Sequence, residues 1–178
     1  MRNVKNGYSE RKGPIPVLSP DYIVGLVDGE GSFSVFAVDK KQSKEKYRRM
    51  RLVPSFFIKL RIQEKSLLEA VKRFFQVGKV YFQKEKRKNH SACYRYDVHS
   101  IDELWNAIIP FFRDRMPKSI ARKDDFEIFS KIVEKIFKKE HLTRRGFSEI
   151  LKLKKRMHKF KTRTGTRPMR EIRSSGGE

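Results

Sequence analysis

In two segments of the chain, successive side chains fall alternately on two sides, with the period of two that is typical of β-strands. In residues 32–39, one side consists of Phe33, Val35 and Ala37, and the other of Ser32, Ser34, Phe36 and Val38. The second segment places Phe56, Ile58, Leu60 and Ile62 on one side, and Phe57, Lys59, Arg61 and Gln63 on the other. This pattern predicts a sheet with a core face and a cationic face suited to a polyanion.

A short apolar helix is predicted directly before the first strand, over about residues 20–28. Ser19 is a suitable N-cap, and Pro20 suits the first helical position. Gly25 and Gly29 are four residues apart, so they share one face of the helix, where another backbone can approach closely.

The exit from this helix is the first candidate site for chemistry. Gly29 and Gly31 flank Glu30, and glycine allows backbone conformations that other residues resist. A carboxylate at such a helix end suits a hard divalent metal better than a core.

Helical periodicity predicts four further helices, at about residues 66–75, 100–109, 122–138 and 145–159. Ser66 and Ser100 are the expected N-caps of the first two, and Pro110 is expected to stop the second. Two further strands are predicted at residues 79–84 and 92–98. The apolar stripe expected on the long helix is Phe126, Phe129, Ile132, Val133, Ile136 and Phe137.

The charge of the chain favours a nucleic-acid partner. The 178 residues include 43 Lys and Arg against 21 Asp and Glu, a net charge of +22. Such self-repulsion disfavours a compact fold unless a polyanion offsets it. There is no long apolar run and no lipidation signal, so no membrane partner is expected. One domain is expected at residues 19–159, between a basic arm at residues 1–18 and a basic flexible tail at residues 160–178.

Cysteine usage predicts an intracellular, reducing compartment. Cys93 is the single cysteine of the chain, which excludes an internal disulfide and a cysteine zinc cluster. Residues 1–12 are basic without an apolar core, so no secretory signal is visible. The expected location is a bacterial or archaeal cytoplasm or an organelle matrix, and the chain is not expected to be secreted.

Residues 23–31, Ile-Val-Gly-Leu-Val-Asp-Gly-Glu-Gly, closely resemble the signature of the LAGLIDADG homing endonucleases. Residues 56–69, 74–80 and 117–126 also resemble family segments. The resemblance implies an α+β fold, an αββαββα saddle whose antiparallel sheet straddles DNA, here with additional C-terminal helices.

The signature occurs once in the chain, and family members with one signature are homodimers. The resemblance therefore implies a second copy of the chain as a partner, which would supply a second acid for the second DNA strand. The expected interface residues are Ile23, Gly25, Leu26, Asp28 and Gly29. Such a two-fold interface uses the same patch on both copies.

The resemblance also assigns catalytic roles. Glu30 would bind Mg²⁺ with the Gly29 carbonyl as a second ligand, Mn²⁺ would substitute, and Ca²⁺ would allow binding without cleavage. Gln63 would position the water, although the local spacing also permits Ile62 or Glu64. Arg122 or Lys123 would stabilise negative charge, with nothing to choose between them.

Two further roles complete the predicted site. Asp28 is expected to satisfy backbone donors across the dimer rather than to catalyse. Side chains of the cationic strand face would read bases, and flanking lysines would contact phosphates. The predicted DNA-binding residues are Ser32, Ser34, Phe36, Val38, Lys40, Phe57, Lys59, Arg61, Lys79, Lys84, Lys86, Arg87 and Lys88. For any single lysine, a solvated surface position is the alternative.

The expected function is a site-specific, intron-encoded double-strand DNA endonuclease with a long, nearly palindromic target. Two alternatives share the fold: a maturase that binds its own intron RNA, and a DNA-binding regulator that does not cleave. The acid at Glu30 favours the enzyme, because a protein that only binds has no need of it.

Overall fold

The computed structural model describes residues 4–5, 8–9, 13–38, 51–84 and 92–158. A two-stranded hairpin, which the sequence did not predict, pairs β1 (Val4–Lys5) with β2 (Tyr8–Ser9) inside the basic arm. The main body follows in the order α1 (Pro20–Glu30), β3 (Gly31–Val38), β4 (Arg51–Arg61), α2 (Lys65–Phe75), β5 (Lys79–Gln83) and β6 (Cys93–Val98). It continues with α3 (Ile101–Glu103), a π-helical stretch (Leu104–Ile108), α4 (Ile109–Asp114), α5 (Ile120–Phe137) and α6 (Arg144–Arg156).

Strands β3 to β6 form one antiparallel sheet in the order β3-β4-β6-β5. Its register places Phe57 of β4 opposite both Ser32 and Asp97, and Asp97 opposite Lys79. The order α1-β3-β4-α2-β5-β6-α3 confirms the predicted αββαββα fold, with α5 and α6 as the additional C-terminal helices.

The core lies between one face of this sheet and the helices. Phe33 stacks on Phe56 with ring centroids 5.1 Å apart, and Phe112, Phe126 and Phe129 surround Phe33 at 5.2–5.4 Å. All five side chains are essentially inaccessible to solvent. Because the helices cover this face, the side chains of the opposite face, including Lys59 and Arg61, remain on the surface of the molecule.

Two predictions about helix ends are wrong. Ser66 does not cap α2, because a 3₁₀ turn at Ile62–Glu64 leads into the helix and Ser66 lies inside its first turn. Pro110 does not end its helix, which continues to Asp114. The Ile109 N–H bonds to the Leu104 carbonyl in a wide π turn, and this irregular turn accommodates the proline that follows.

The far end of α5 also differs from the predicted stripe. Phe137 is 39% exposed, and its ring stacks on Trp105 at 5.1 Å rather than entering the core.

Among the described residues, no helix has the length and apolar character required to cross a bilayer.

Candidate active site and nucleic-acid interface

Helix α1 begins as predicted and presents Glu30 at its end. The Ser19 hydroxyl accepts the Tyr22 backbone N–H at 3.2 Å, and Pro20 occupies the first turn. Glu30 is the last residue of the helix and is exposed. No described residue forms a hydrogen bond or an ion pair with its carboxylate, so it is open to a ligand.

Gly31 matters for a different reason from the one predicted. Its backbone is extended, with φ −76° and ψ 158°, which any residue can adopt. A Cβ atom at this position would lie 2.6 Å from the Val27 side chain and 2.8 Å from the Val27 backbone. The glycine therefore permits β3 to leave α1 at very close range, and this fixes the position of Glu30 between the two elements.

Asp28 anchors the end of α1 to the start of α5. Its carboxylate accepts the backbone N–H of Lys118 at 2.9 Å and that of Ser119 at 3.1 Å. Within the single chain these backbone donors are its own, and the expected bonds of Asp28 across a dimer stay a prediction. The contact places the first turn of α5 alongside the exit of α1.

That first turn carries both predicted cations. Lys123 is exposed, and its backbone N–H bonds to the Ser119 carbonyl in the first turn of the helix. Arg122 is half-buried, and its Nε atom is buried with no hydrogen-bond partner. An unpaired buried donor is costly unless a ligand or water satisfies it. The exposed Lys123 side chain is therefore accessible to a negatively charged ligand, whereas Arg122 is partly buried and its charge also acts on Asp125.

Gln63 does not lie on the strand face with Phe57, Lys59 and Arg61. Strand β4 ends at Arg61, and Gln63 is an exposed residue of the following 3₁₀ turn. Among the alternatives, Ile62 is buried in the core, whereas Glu64 is exposed. The structure therefore removes Ile62 as a candidate for positioning a water.

The metal donors that one chain offers are few. Within the described ranges, no three or more His, Cys, Asp or Glu side chains lie together as a cation site. The exposed Glu30 carboxylate and a carbonyl such as that of Gly29 are hard oxygen donors. Mg²⁺ is commonly held by one or two carboxylates together with waters and substrate phosphates. The residues fit that kind of ion, with most of its ligands coming from outside the protein.

The outer face of the sheet gathers several of the predicted DNA-binding residues. Strand pairing places Ser32, Phe57 and Lys79 in one row across the sheet, with Asp97 between Phe57 and Lys79. In another row, Lys59 lies opposite Arg95. Phe36 is 45% exposed, and Arg61, Lys79 and Lys84 are exposed. Lys40, Lys86, Arg87 and Lys88 lie outside the described residues, and for Val38 only the backbone is described.

Ser34 is less available than predicted. It is 9% exposed, and its hydroxyl lies 3.1 Å from that of Ser32 and 3.5 Å from His158 Nε2. His158 follows α6 and reaches the edge strand β3, so the end of the described chain covers Ser34. The predicted contact of Ser34 with a base stays a prediction, at a hydroxyl that is largely buried in this chain.

His158 is held in turn by Asp125 of α5. The carboxylate accepts the His158 backbone N–H at 2.7 Å, and its other oxygen lies 2.8 Å from Nδ1. Burial raises the pKa of Asp125, but the hydrogen bonds and charge of His158, with the charge of Arg122, outweigh burial and hold that pKa below its usual value. Sequence spacing gave no signal for this pair.

Arg95 and Asp97 were not predicted as site residues. A signal for them existed, because the alternation of residues 93–98 places both on the face that carries Lys59. Arg95 pairs with Asp97 at 3.3 Å.

One face of α1 is open in the isolated chain. A Cβ atom added at Gly25 or Gly29 would meet no atom within 4 Å, and Leu26 is half-buried. Tyr22 is 48% exposed on the same helix. Ile23 is fully buried in the chain's own core, so its predicted place in a dimer interface is corrected.

Comparison with known proteins identifies relatives of this chain. A family profile described as LAGLIDADG endonuclease matches residues 23–133. "Probable intron-encoded DNA endonuclease 1" of Mycosarcoma maydis is 34% identical over 111 residues, which cover 62% of this chain and 35% of that protein. The chain thus spans about a third of the length of this relative.

Solved structures give the same result for the fold. The homing endonuclease I-TnaI is 30% identical with a TM-score of 0.66, and the alignment covers 80% of this chain and 90% of that chain. I-SmaMI bound to cleaved DNA is 30% identical with a TM-score of 0.69, over 83% of this chain and 46% of that chain. The profile match over more than half of the residues, together with these structures, shows that the chain belongs to the LAGLIDADG endonuclease family.

Proposed function

We propose that this chain is a site-specific DNA endonuclease that acts as a homodimer and hydrolyses both strands of a long, nearly palindromic duplex with a divalent metal. The observation that carries the proposal is the exposed Glu30 carboxylate at the end of α1, the helix that Asp28 ties to the start of α5. Asp28 fixes this arrangement through its bonds to Lys118 and Ser119. Nucleases of the same family, among them I-SmaMI bound to cleaved DNA, support the activity.

The substrate is expected to lie across the outer face of the sheet. The net charge of +22 gives strong attraction to a polyanion. Exposed Arg61 and Lys79 and the exposed aromatic ring of Phe36 lie on this face. Cations contact phosphates and base edges, and apolar rings contact thymine methyl groups, so this surface suits duplex DNA.

The metal ligands of each chain would be the Glu30 carboxylate and the Gly29 carbonyl. When bound, a Mg²⁺ ion supplies Lewis-acid stabilisation of the phosphate charge and acidifies a bound water. Arg122 or Lys123, both in the first turn of the helix that Asp28 anchors, would support the same charge. Gln63 or Glu64, both exposed after β4, would orient the attacking water by hydrogen bonding.

The second strand requires a second acid, which a second copy of the chain would provide. Gly25 and Gly29 leave a small-residue stripe on α1 with no neighbour within 4 Å. Two such helices could therefore pack closely about a two-fold axis. That packing would place the two Glu30 residues near the axis, one for each scissile phosphate.

The activity can be tested without knowing the target. The protein is incubated with a randomised duplex library and Mg²⁺, and the cut ends are sequenced. The proposal predicts enriched ends that define one near-palindromic site and that disappear when EDTA replaces Mg²⁺. Binding to that site without enriched ends would indicate the non-cleaving regulator, and selective binding of intron RNA alone would indicate the maturase.

A further inference from the structure

Arg95 is held in a defined orientation on the outer face of the sheet. Its guanidinium carbon lies 3.7 Å from the centroid of the Phe57 ring. Nη2 donates to the Ser55 hydroxyl at 3.4 Å. Nε is buried and forms an ion pair with Asp97 Oδ2 at 3.3 Å, but it makes no hydrogen bond among the described residues. An aromatic ring therefore lies against the guanidinium, while one hydrogen bond and one ion pair hold the group in place.

The carboxylate that orients Arg95 is itself fixed by two other strands. Ser55 of β4 donates its hydroxyl proton to Asp97 Oδ1 at 2.5 Å, and Tyr81 of β5 donates to Oδ2 at 3.1 Å. The side chains of Arg95 and Asp97 are only 15% and 13% exposed. The cluster of Ser55, Phe57, Tyr81, Arg95 and Asp97 thus ties three adjacent strands together.

The charge of Asp97 is unexpected on a surface that binds a polyanion. Among the described strand residues that point to this face, Asp97 is the single acidic one. Its negative charge weakens the attraction to phosphates. General affinity for DNA therefore does not explain its presence, whereas the orientation of Arg95 does.

The donors of Arg95 are suited to reading a base. A guanidinium has five N–H donors in a planar fork, and the hydrogen bond to Ser55 engages one of them. A fork of this kind pairs in bidentate fashion with O6 and N7 of guanine in the major groove. By contrast, exposed Arg61 has no hydrogen-bond or ion-pair partner among the described residues.

We infer that Arg95 reads a guanine in each half of the target duplex and that Asp97 is the residue that positions it. The inference rests on the proposed function, because it names the specificity contact of the same DNA-binding face. Preorganisation by Phe57 and Asp97 lowers the ordering cost on binding. It also makes substitution by lysine inadequate, since an ammonium group cannot form the stacked, bidentate contact.

Binding profiles in Ca²⁺ test this inference without relying on cleavage. A randomised duplex library is selected with the wild type and with the Arg95→Ala, Arg95→Lys and Asp97→Asn variants. Lys79→Ala is the matched control, since Lys79 lies opposite Asp97 on the edge strand. For Arg95→Ala and Arg95→Lys we expect a loss of preference for guanine of roughly 5- to 150-fold at one symmetric pair of positions, with the other positions unchanged.

The positioning role of Asp97 has its own signature. Asp97→Asn removes a negative charge, so overall affinity should hold or rise while the preference for the same guanine weakens. Lys79→Ala should weaken binding of all sequences alike. An unchanged profile for both Arg95 variants, or a uniform loss at every position, overturns the inference while the proposed function stands. A wild type that selects no sequence overturns both.

Discussion

The Asp28 carboxylate accepts the backbone N–H of Ser119 at 3.1 Å, and its other oxygen accepts that of Lys118. These bonds join the helix that carries Glu30 to the helix that carries Arg122 and Lys123. The acid and the cations of the proposed site therefore depend on one anchor that is separated from its partners by about 90 residues of sequence.

Replacement of this anchor should reduce both stability and activity. Asp28→Ala leaves the Lys118 and Ser119 donors without their acceptor, which typically costs about 1–3 kcal/mol. Urea unfolding should show this loss, and the remaining folded protein should cleave more slowly because the first turn of α5 is no longer held. Glu127→Ala, an exposed acid on α5, should change neither property. Equal stability of wild type and Asp28→Ala would contradict the anchor.

The contact between Asp125 and His158 predicts a pH dependence of stability. Since the pKa of Asp125 is lowered in the folded chain, its contribution is present above the unfolded pKa of about 3.9 and is lost as pH falls through the lower folded value. The free energy of unfolding should therefore differ between wild type and Asp125→Asn at neutral pH, and the difference should shrink below about pH 4.

The control for that measurement is Asp102→Asn, which changes an exposed acid of α3. It should track the wild type at every pH. A difference for Asp125→Asn that persists unchanged to pH 2 would show that ionisation of Asp125 is not the source of the stabilisation.

Two glycine substitutions separate assembly from folding. Gly25→Leu adds a side chain where the isolated chain has open space, so it should leave the fold intact and shift the protein to monomer in sedimentation velocity. Gly31→Ala adds a Cβ within 2.8 Å of the Val27 backbone and should instead lower the melting temperature. A Gly25→Leu protein that stays dimeric and cleaves normally would place the interface elsewhere.

The charge of the chain predicts a steep salt dependence of DNA binding. Each phosphate neutralised on duplex DNA adds roughly 0.9 to the slope of log affinity against log salt concentration. With +22 on each chain, we expect a slope of magnitude about 6 or more. Fluorescence anisotropy across a salt series measures it, and a slope near 2 would argue against the outer sheet face as an extended phosphate-binding surface.

The sequence was sufficient where the signal is local. The alternation through β4 correctly placed Phe56 and Ile58 in the core, where both are fully buried. Ser19 was identified as the cap of α1 because capping depends on only a few neighbouring residues. The position of Glu30 at the end of that helix followed from the same short segment.

The sequence was insufficient where a contact joins distant segments or where the backbone departs from a regular period. The pairs Asp125–His158 and Ser34–His158 are 33 and 124 residues apart, and only tertiary packing brings them together. Gln63 was assigned to the strand because the alternation continues through it, yet the chain turns into a 3₁₀ helix after Arg61. Periodicity alone does not encode that turn.

The most direct test of the proposed function compares wild type with Glu30→Gln on the selected duplex. Glutamine keeps the shape of the side chain but removes the charge that would hold Mg²⁺. We predict that cleavage in Mg²⁺ is lost while binding in Ca²⁺ is retained, and that Asp21→Asn, a change of an exposed acid in the first turn of the same helix, cleaves normally. Cleavage by Glu30→Gln at close to the wild-type rate would contradict the account.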